Sequence, residues 1–219
     1  MELWANFTDL LVQAIGFLTT EVGVSQGVAI ILLTLIVRLL LSPLSSSAII
    51  NSYKNRKAIA AIKPELDKLK SVYKNKPNEM AKQTMALYQK HDIKFVSKTL
   101  VANISSQAIF GFGMYQVLQK VIFSSKFAWI SNIAKPDILL AMLVGALTYV
   151  SMIMMPGSAE QASAMFLLIP TMVSVAVLIS APSALGLYWA TSSAFTALQS
   201  VVMQKYFEKQ QCNLTQTQG

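Results

Sequence analysis

Cysteine and histidine are nearly missing from this chain of 219 residues: there is one of each, Cys212 and His91. Cys212 stands in a polar C-terminal stretch, so a disulfide framework or a cysteine-held metal has nothing to be built from, and one histidine does not assemble a zinc site. No metal and no other cofactor is expected. The sequence also shows no glycine-rich phosphate loop and no grouping of a nucleophile with a base, so enzymatic catalysis is not expected. Charge is scarce: Asp, Glu, Lys and Arg make up 13% against 54% apolar residues. That balance belongs to a membrane protein folded as one bundle rather than to two soluble domains. The first 37 positions hold no Lys or Arg, and residues 1–20 carry Glu2 and Asp9. A cleavable signal peptide, which needs a basic start, is therefore not expected.

The positive charge is concentrated in one place. Of the 18 Lys and Arg, 12 fall within Asn51–Lys98, against only Glu65, Asp67, Glu79 and Asp92. A formal net charge of +8 suits a nucleic-acid binder. Clustering beside an apolar run is first a topology signal, however, and no direct nucleic-acid substrate is expected. The positive-inside rule places 51–98 in the cytoplasm and the N-terminus outside.

The run from Val28 to Ile50 contains a single charge, Arg38, near its middle. About 20 apolar residues suffice to cross the hydrocarbon core. A central arginine there costs roughly 2.5–3.5 kcal/mol on insertion scales, so it should face protein or water rather than lipid. Thr34, Arg38, Ser42 and Ser45 follow i, i+4, i+8, i+11 and form one polar stripe. Arg38 lies roughly 15 Å from either end of the run, farther than its side chain reaches to snorkel. The later apolar runs hold no Asp or Glu away from their ends to pair with it. The reading is a hydrated, polar-lined cavity around Arg38.

Taken in order, the chain divides as follows. Residues 1–22 form an amphipathic helix lying in the outer interface, with Leu3, Phe7, Leu10, Leu11, Ala14, Ile15 and Leu18 on one face and Trp4 as anchor. A first span covers 27–50, bent at Pro43. The basic segment 51–98 reads as a cytosolic helical hairpin. Its first helix carries the seam Ile59, Ile62, Leu66, Leu69 and Tyr73, with Pro64 at the first helical position. Its second runs from Asn78 to Gln89, with Met80, Thr84 or Met85, Leu87 and Tyr88 inward. A second span at 99–123 is polar for a lipid-facing helix, and Asn103 and Gln107 share one face. A third span at 138–155, a loop at 156–163 and a fourth span at 164–180 follow. Met152, Met154, Met155 and Met165 gather around that loop. A fifth span at 183–203 carries a second polar stripe, Tyr188, Ser192, Thr196 and Gln199, placed to face the first. The tail 204–219 is cytosolic. The expected fold is thus an all-α membrane protein with five transmembrane helices, an N-terminal interfacial amphipathic helix and a cytosolic helical hairpin.

Four stretches carry a resemblance: TLIVRLLLSPL at 34–44, MALY at 85–88, WISNIAKPD at 129–137 and PSALGLYW at 182–189. In this order and spacing the chain resembles the YidC/Oxa/Alb family of membrane-protein insertases, from its N-terminal helix to Tyr206. The resemblance implies a groove open to the cytoplasm and to lipid but closed outside. It also implies that Arg38 is the groove arginine, Thr34 a groove-lining position and Trp189 an aromatic that meets substrates. Together with the polar stripes, the implied groove set is Arg38, Thr34, Ser42, Gln107, Tyr188, Trp189, Ser192 and Thr196. The implied partners are nascent or newly made membrane proteins and the lipid bilayer, with the Sec translocon, the ribosome or the signal recognition particle as further candidates. The implied home is the bacterial cytoplasmic (inner) membrane, with the C-terminus inside. The chain departs from the family pattern at Asp92–Lys98, at Gln107, which lacks a following proline, and at Met152, where a polar residue is usual. Two other readings stay open at this point: a small-anion transporter or channel, and an assembly chaperone that does not insert.

Overall fold

The computed structural model describes residues 2–93, 98–121, 123–154 and 164–216, the side chains at 56, 100, 164–167, 208 and 210–216 excepted. Eight helices follow one another among the described residues: α1 (Glu2–Thr20), α2 (Gln26–Ala61), α3 (Lys63–Val72), α4 (Pro77–Lys90), α5 (Lys98–Lys120), α6 (Ile138–Ile153), α7 (Ala164–Leu178) and α8 (Ser183–Gln216). The fold is all-α, as expected. The expected loop 156–163, Met155 beside it, the Met165 side chain, residues 94–97 of the departing segment and the last three residues of the tail lie outside the described residues.

The count of five membrane-crossing helices is corrected. Among the described residues one helix, Gln26–Ala61, is both long and apolar enough to cross a membrane; Ile138–Ile153 and Leu168–Leu178 are apolar but shorter. The reason is length in one case and polarity in the other. α6 has 16 residues, which at 1.5 Å each gives about 24 Å against a core of about 30 Å. α5 has 23 residues but spends Asn103, Ser105, Ser106, Gln107, Gln116 and Gln119 within them. α8 runs 34 residues, well past the expected end near 203, and is diluted by Ser, Thr and Gln along its length.

Ser25 starts α2 by accepting a hydrogen bond from the Val28 amide at 3.4 Å. The helix then continues through Pro43 to Ala61. The main core forms where α2, α5, α6 and α8 meet, around Ile30, Met114, Val117, Val144 and Leu187. α1 packs on α5 and α2 through Leu11 and Ile15, while Leu3 and Leu10 point away, 88% and 62% exposed. Trp4, expected as an interface anchor, donates its indole N–H to Gln116 Oε1 at 2.7 Å. A second, small core holds the hairpin together through Ile62, Leu66, Leu87 and Ile93, with Ile59, Leu69 and Tyr88 against it. Thr84 is half-buried there and Met85 exposed. Pro64 falls one position later than expected, because Lys63 opens α3. Both places lack an intrahelical acceptor for an N–H, so proline is tolerated at either.

The segment between α5 and α6 closes one end of the bundle. Phe127 and Ile130 exchange backbone hydrogen bonds of 2.9 and 2.8 Å. Ala128 takes the left-handed conformation that so tight a turn requires, with φ of 48°. Phe127 rests on α2 where Gly27 leaves room: a Cβ at Gly27 would lie 2.5 Å from the Phe127 ring. Gly27→Ala should therefore destabilise the protein by about 1–3 kcal/mol, the usual range for overpacking. Gly16, with open space around its would-be Cβ, should instead gain about 0.5–1 kcal/mol as Ala. Thermal unfolding of the two variants in detergent checks the opposite signs.

Candidate functional site

Arg38 projects from α2 toward α8, and its partner there is a hydroxyl. The Arg38 Nε–H donates to Ser192 Oγ at 2.7 Å, and a second guanidinium nitrogen donates to the same oxygen. Among the described residues Arg38 meets no carboxylate; the ion pairs join Lys70 to Asp67 and Lys120 to Asp9. A serine in a helix often returns its hydroxyl to the carbonyl four residues back. Thr191 and Thr196 do so, toward Leu187 and Ser192 at 2.7 and 2.9 Å. Ser192 accepts from the neighbouring helix instead.

A groove of about 640 Å³ surrounds this pair. α5 contributes Gln107, Gly111 and Tyr115, α6 contributes Ser151, and α8 contributes Tyr188, Trp189, Ser192 and Thr196. Ile104, Phe112 and Leu185 supply apolar wall between the polar positions. The Tyr188 ring packs edge-on against Phe110, with centroids 5.6 Å apart, and its hydroxyl nestles at Gly111, where a Cβ would stand 3.1 Å away. Gln107 Nε2 donates to Asn103 Oδ1 at 3.3 Å, so that amide is oriented along its own helix. Deeper, Thr148 and Ser193 share a hydroxyl contact of 3.3 Å between α6 and α8.

The two ends of the bundle differ. At the end near the α5–α6 segment, Gln26 Oε1 accepts from the Ser124 and Ser125 amides at 3.0 and 3.2 Å. There Lys135 O also accepts from the Ser183 amide and hydroxyl, at 3.0 and 2.6 Å, and Ile133 O accepts from the Ala184 amide at 2.9 Å. These bonds tie the α5–α6 segment to the N-termini of α2 and α8. Between it and the groove lies a second cavity of about 620 Å³, bordered by Tyr115 and Leu185, which also border the groove.

Six of the eight expected groove residues come together: Arg38, Gln107, Tyr188, Trp189, Ser192 and Thr196. Thr34 and Ser42 do not. Each step of four residues turns a helix by about 40°, so the two fall on opposite flanks of Arg38. Thr34 is fully buried and returns its hydroxyl to Ile30 O at 2.7 Å. Ser42 borders a separate cleft of about 250 Å³ with Ser46 and Gln199, and its carbonyl accepts from Gln199 Nε2 at 3.1 Å. Ser151, Ser193 and Gly111 were not anticipated. Ser151 had a signal, since it stands one residue before the apolar Met152 and three after Thr148 on the same face. Gly111 had none, because only a ring arriving from another helix gives it a purpose.

Ser192→Ala would leave two guanidinium donors without their acceptor. Losing a buried acceptor costs roughly 1–3 kcal/mol. Unfolding in detergent should show that loss, and an unchanged midpoint would mean that water replaces Ser192 at no cost.

The arrangement has relatives. Residues 17–210 match the sequence family described as 60Kd inner membrane protein. The chain is 30% identical over 214 residues to the membrane protein insertase YidC of Clostridium tetani (strain Massachusetts / E88), covering 95% of this chain and 94% of that one. It is also 30% identical over 201 residues to the membrane protein insertase MisCA of Bacillus subtilis (strain 168), covering 88% and 76%. In fold it is similar to a crystal structure of an active YidC insertase with its first transmembrane domain resolved, with a TM-score of 0.63 and 22% identity. That match covers 89% of this chain and 45% of the solved one, so this chain spans a little under half of that protein's length.

Proposed function

We propose, from the premise that this chain belongs to the YidC/Oxa/Alb family of membrane protein insertases, that it carries its clients through the groove around Arg38. Membership makes it an insertase and chaperone of membrane proteins, a multi-pass protein of the bacterial inner membrane, and not an enzyme. The observation that carries the groove reading is the state of Arg38: its guanidinium lines the groove, bonded to a neutral hydroxyl and to no carboxylate among the described residues.

A client segment that must cross the membrane loses its water hydrogen bonds, at about 2–7 kcal/mol for each polar group left without a partner. Gln107, Ser151, Thr196 and the Tyr188 hydroxyl offer replacements along one surface. The uncompensated positive charge of Arg38 attracts acidic residues in the translocated tail, and the attraction grows as the local dielectric falls. The client's apolar helix moves past Trp189 and Phe112 at the groove's apolar margin and partitions into lipid. Hydrophobic transfer drives the step, at roughly 25 cal/mol for each Å² of apolar surface removed from water.

The orientation follows from charge. The basic segment 51–98 lies in the cytoplasm, and α1 and the α5–α6 segment lie outside, so the closed end faces out and the N-terminus is external. The hairpin then stands where clients arrive, whether from a ribosome, the signal recognition particle or the Sec translocon.

The test is insertion of a small client with an acidic outer tail into liposomes holding the wild type, Arg38→Ala or Arg38→Lys, with protease protection of the tail as readout. Wild type should protect the tail, Arg38→Ala should lose most of that protection, and Lys should restore part of it. Equal protection by all three would remove Arg38 from the mechanism. Client binding without protection would favour a chaperone that does not insert, and flux of small anions through the purified protein would favour a pore.

A further inference from the structure

Three of the contacts between α2 and α8 link residues 154 positions apart: Arg38 with Ser192, Ser45 with Gln199, and Tyr53 with Phe207. A constant offset means that the two helices run parallel in one register, here from Arg38 to Tyr53, or about 22 Å at 1.5 Å per residue. The Tyr53 and Phe207 rings stack face to face at the far end, 4.2 Å apart and 2° from parallel.

Arg38 does not choose that register. Tyr188, Ser192 and Thr196 present hydroxyls to the groove one helical turn apart, about 6 Å in height. A guanidinium finds an acceptor at any of the three. Gln199 is different. Its Nε2 lies 3.1 Å from Ser42 O, 2.8 Å from Ser45 Oγ and 2.9 Å from Ser46 Oγ, and its Oε1 accepts from Ser45 Oγ at 3.0 Å. All four contacts fall on the single turn of α2 from Ser42 to Ser46, which contains Pro43, and a slip of one turn loses them together. Phe195, Leu198, Val202 and Met203 surround Gln199 on α8. Apolar neighbours tolerate sliding, and directional amide bonds do not.

We propose that Gln199 is a positioning residue, which sets the α2–α8 register and so places Arg38 opposite Ser192 in the groove. The inference rests on the Arg38 groove as the working site, and it assigns no client contact to Gln199. The expectation is that Gln199→Leu keeps the helices packed but lets them shift along each other.

The test uses cysteine pairs in the full-length protein with Cys212→Ser. Ile49→Cys with Met203→Cys shares the 154-residue offset, and Ile49→Cys with Tyr206→Cys stands about one turn out. With Gln199 intact, the first pair should crosslink in preference to the second. Gln199→Leu should lower that preference by about five-fold, the change that ~1 kcal/mol produces, and should reduce insertion of the acidic-tailed client. Oxidising the 49–203 pair in Gln199→Leu should restore insertion, and reduction should abolish it again. Unchanged crosslinking, or a locked register without restored insertion, overturns the proposal. If Gln199→Leu does not accumulate, Gln199→Glu, which keeps the acceptor and loses the donors, is put through the same crosslinking and judged by the same two outcomes. Should Arg38→Ala insert normally while the crosslink preference still shifts, the register role of Gln199 stands and the groove reading alone falls.

Discussion

A guanidinium in a membrane-crossing helix must find acceptors for its N–H groups, and the rest of this structure depends on how that is done. Arg38 gives two donors to one oxygen, Ser192 Oγ. A carboxylate would satisfy the same donors and also cancel the charge, leaving a buried ion pair of little further use. A hydroxyl satisfies them and leaves the charge. For that, α8 has to run beside α2 with a hydroxyl in reach, and α5 has to stand off far enough to leave a groove. The polar stripe of α8 and the standing-off of α5 both serve a cation that meets no carboxylate among the described residues.

The asymmetry between the ends follows from backbone chemistry. Irregular chain packed against a bundle is tolerated only where its buried amides and carbonyls find partners. The α5–α6 segment finds them at the N-termini of α2 and α8, where the first helical amides have no intrahelical acceptor. Gln26, Ser183 and Ala184, which stand at those two N-termini, take part in the closure. The groove around Arg38 is bordered by side-chain amides, hydroxyls and apolar groups instead. Main-chain groups fix the one region, whereas the side chains of the other offer hydrogen bonds that can be exchanged.

Much of this was legible in the sequence because it is local. A lone arginine in an apolar run, hydroxyls repeating every four residues at Tyr188, Ser192 and Thr196, and the hairpin seam of Ile59, Ile62, Leu66 and Leu69 are all one-dimensional patterns with a physical meaning. The number of crossing helices was not legible. A polar stripe and a short apolar run both resemble spans in one dimension, but length with apolarity supports only α2 among the described residues. Thr34 and Ser42 were misplaced for a related reason: a stripe at four-residue spacing drifts around the helix, and the helix packed against it decides which member faces the cavity. Ser193 and Gly111 could not be read at all, since the contacts that define them come from α6 and from the Tyr188 ring.

Gln107 stands on a helix whose position is fixed by its neighbours. Without a proline after Gln107, α5 continues unbroken from Lys98 to Lys120, so nothing in its own backbone bends it away from α8. Two glycines act in its place. Gly111 receives the Tyr188 hydroxyl, and at Gly113 a Cβ would lie 2.5 Å from the Phe7 ring of α1. Two residues on a helix are about 200° apart, so these rings press on nearly opposite faces. α5 is thereby wedged between α1 and α8. Because Tyr188 props it from one side and Phe7 from the other, the width of the groove is set by two aromatic rings rather than by backbone packing of α5 on α8.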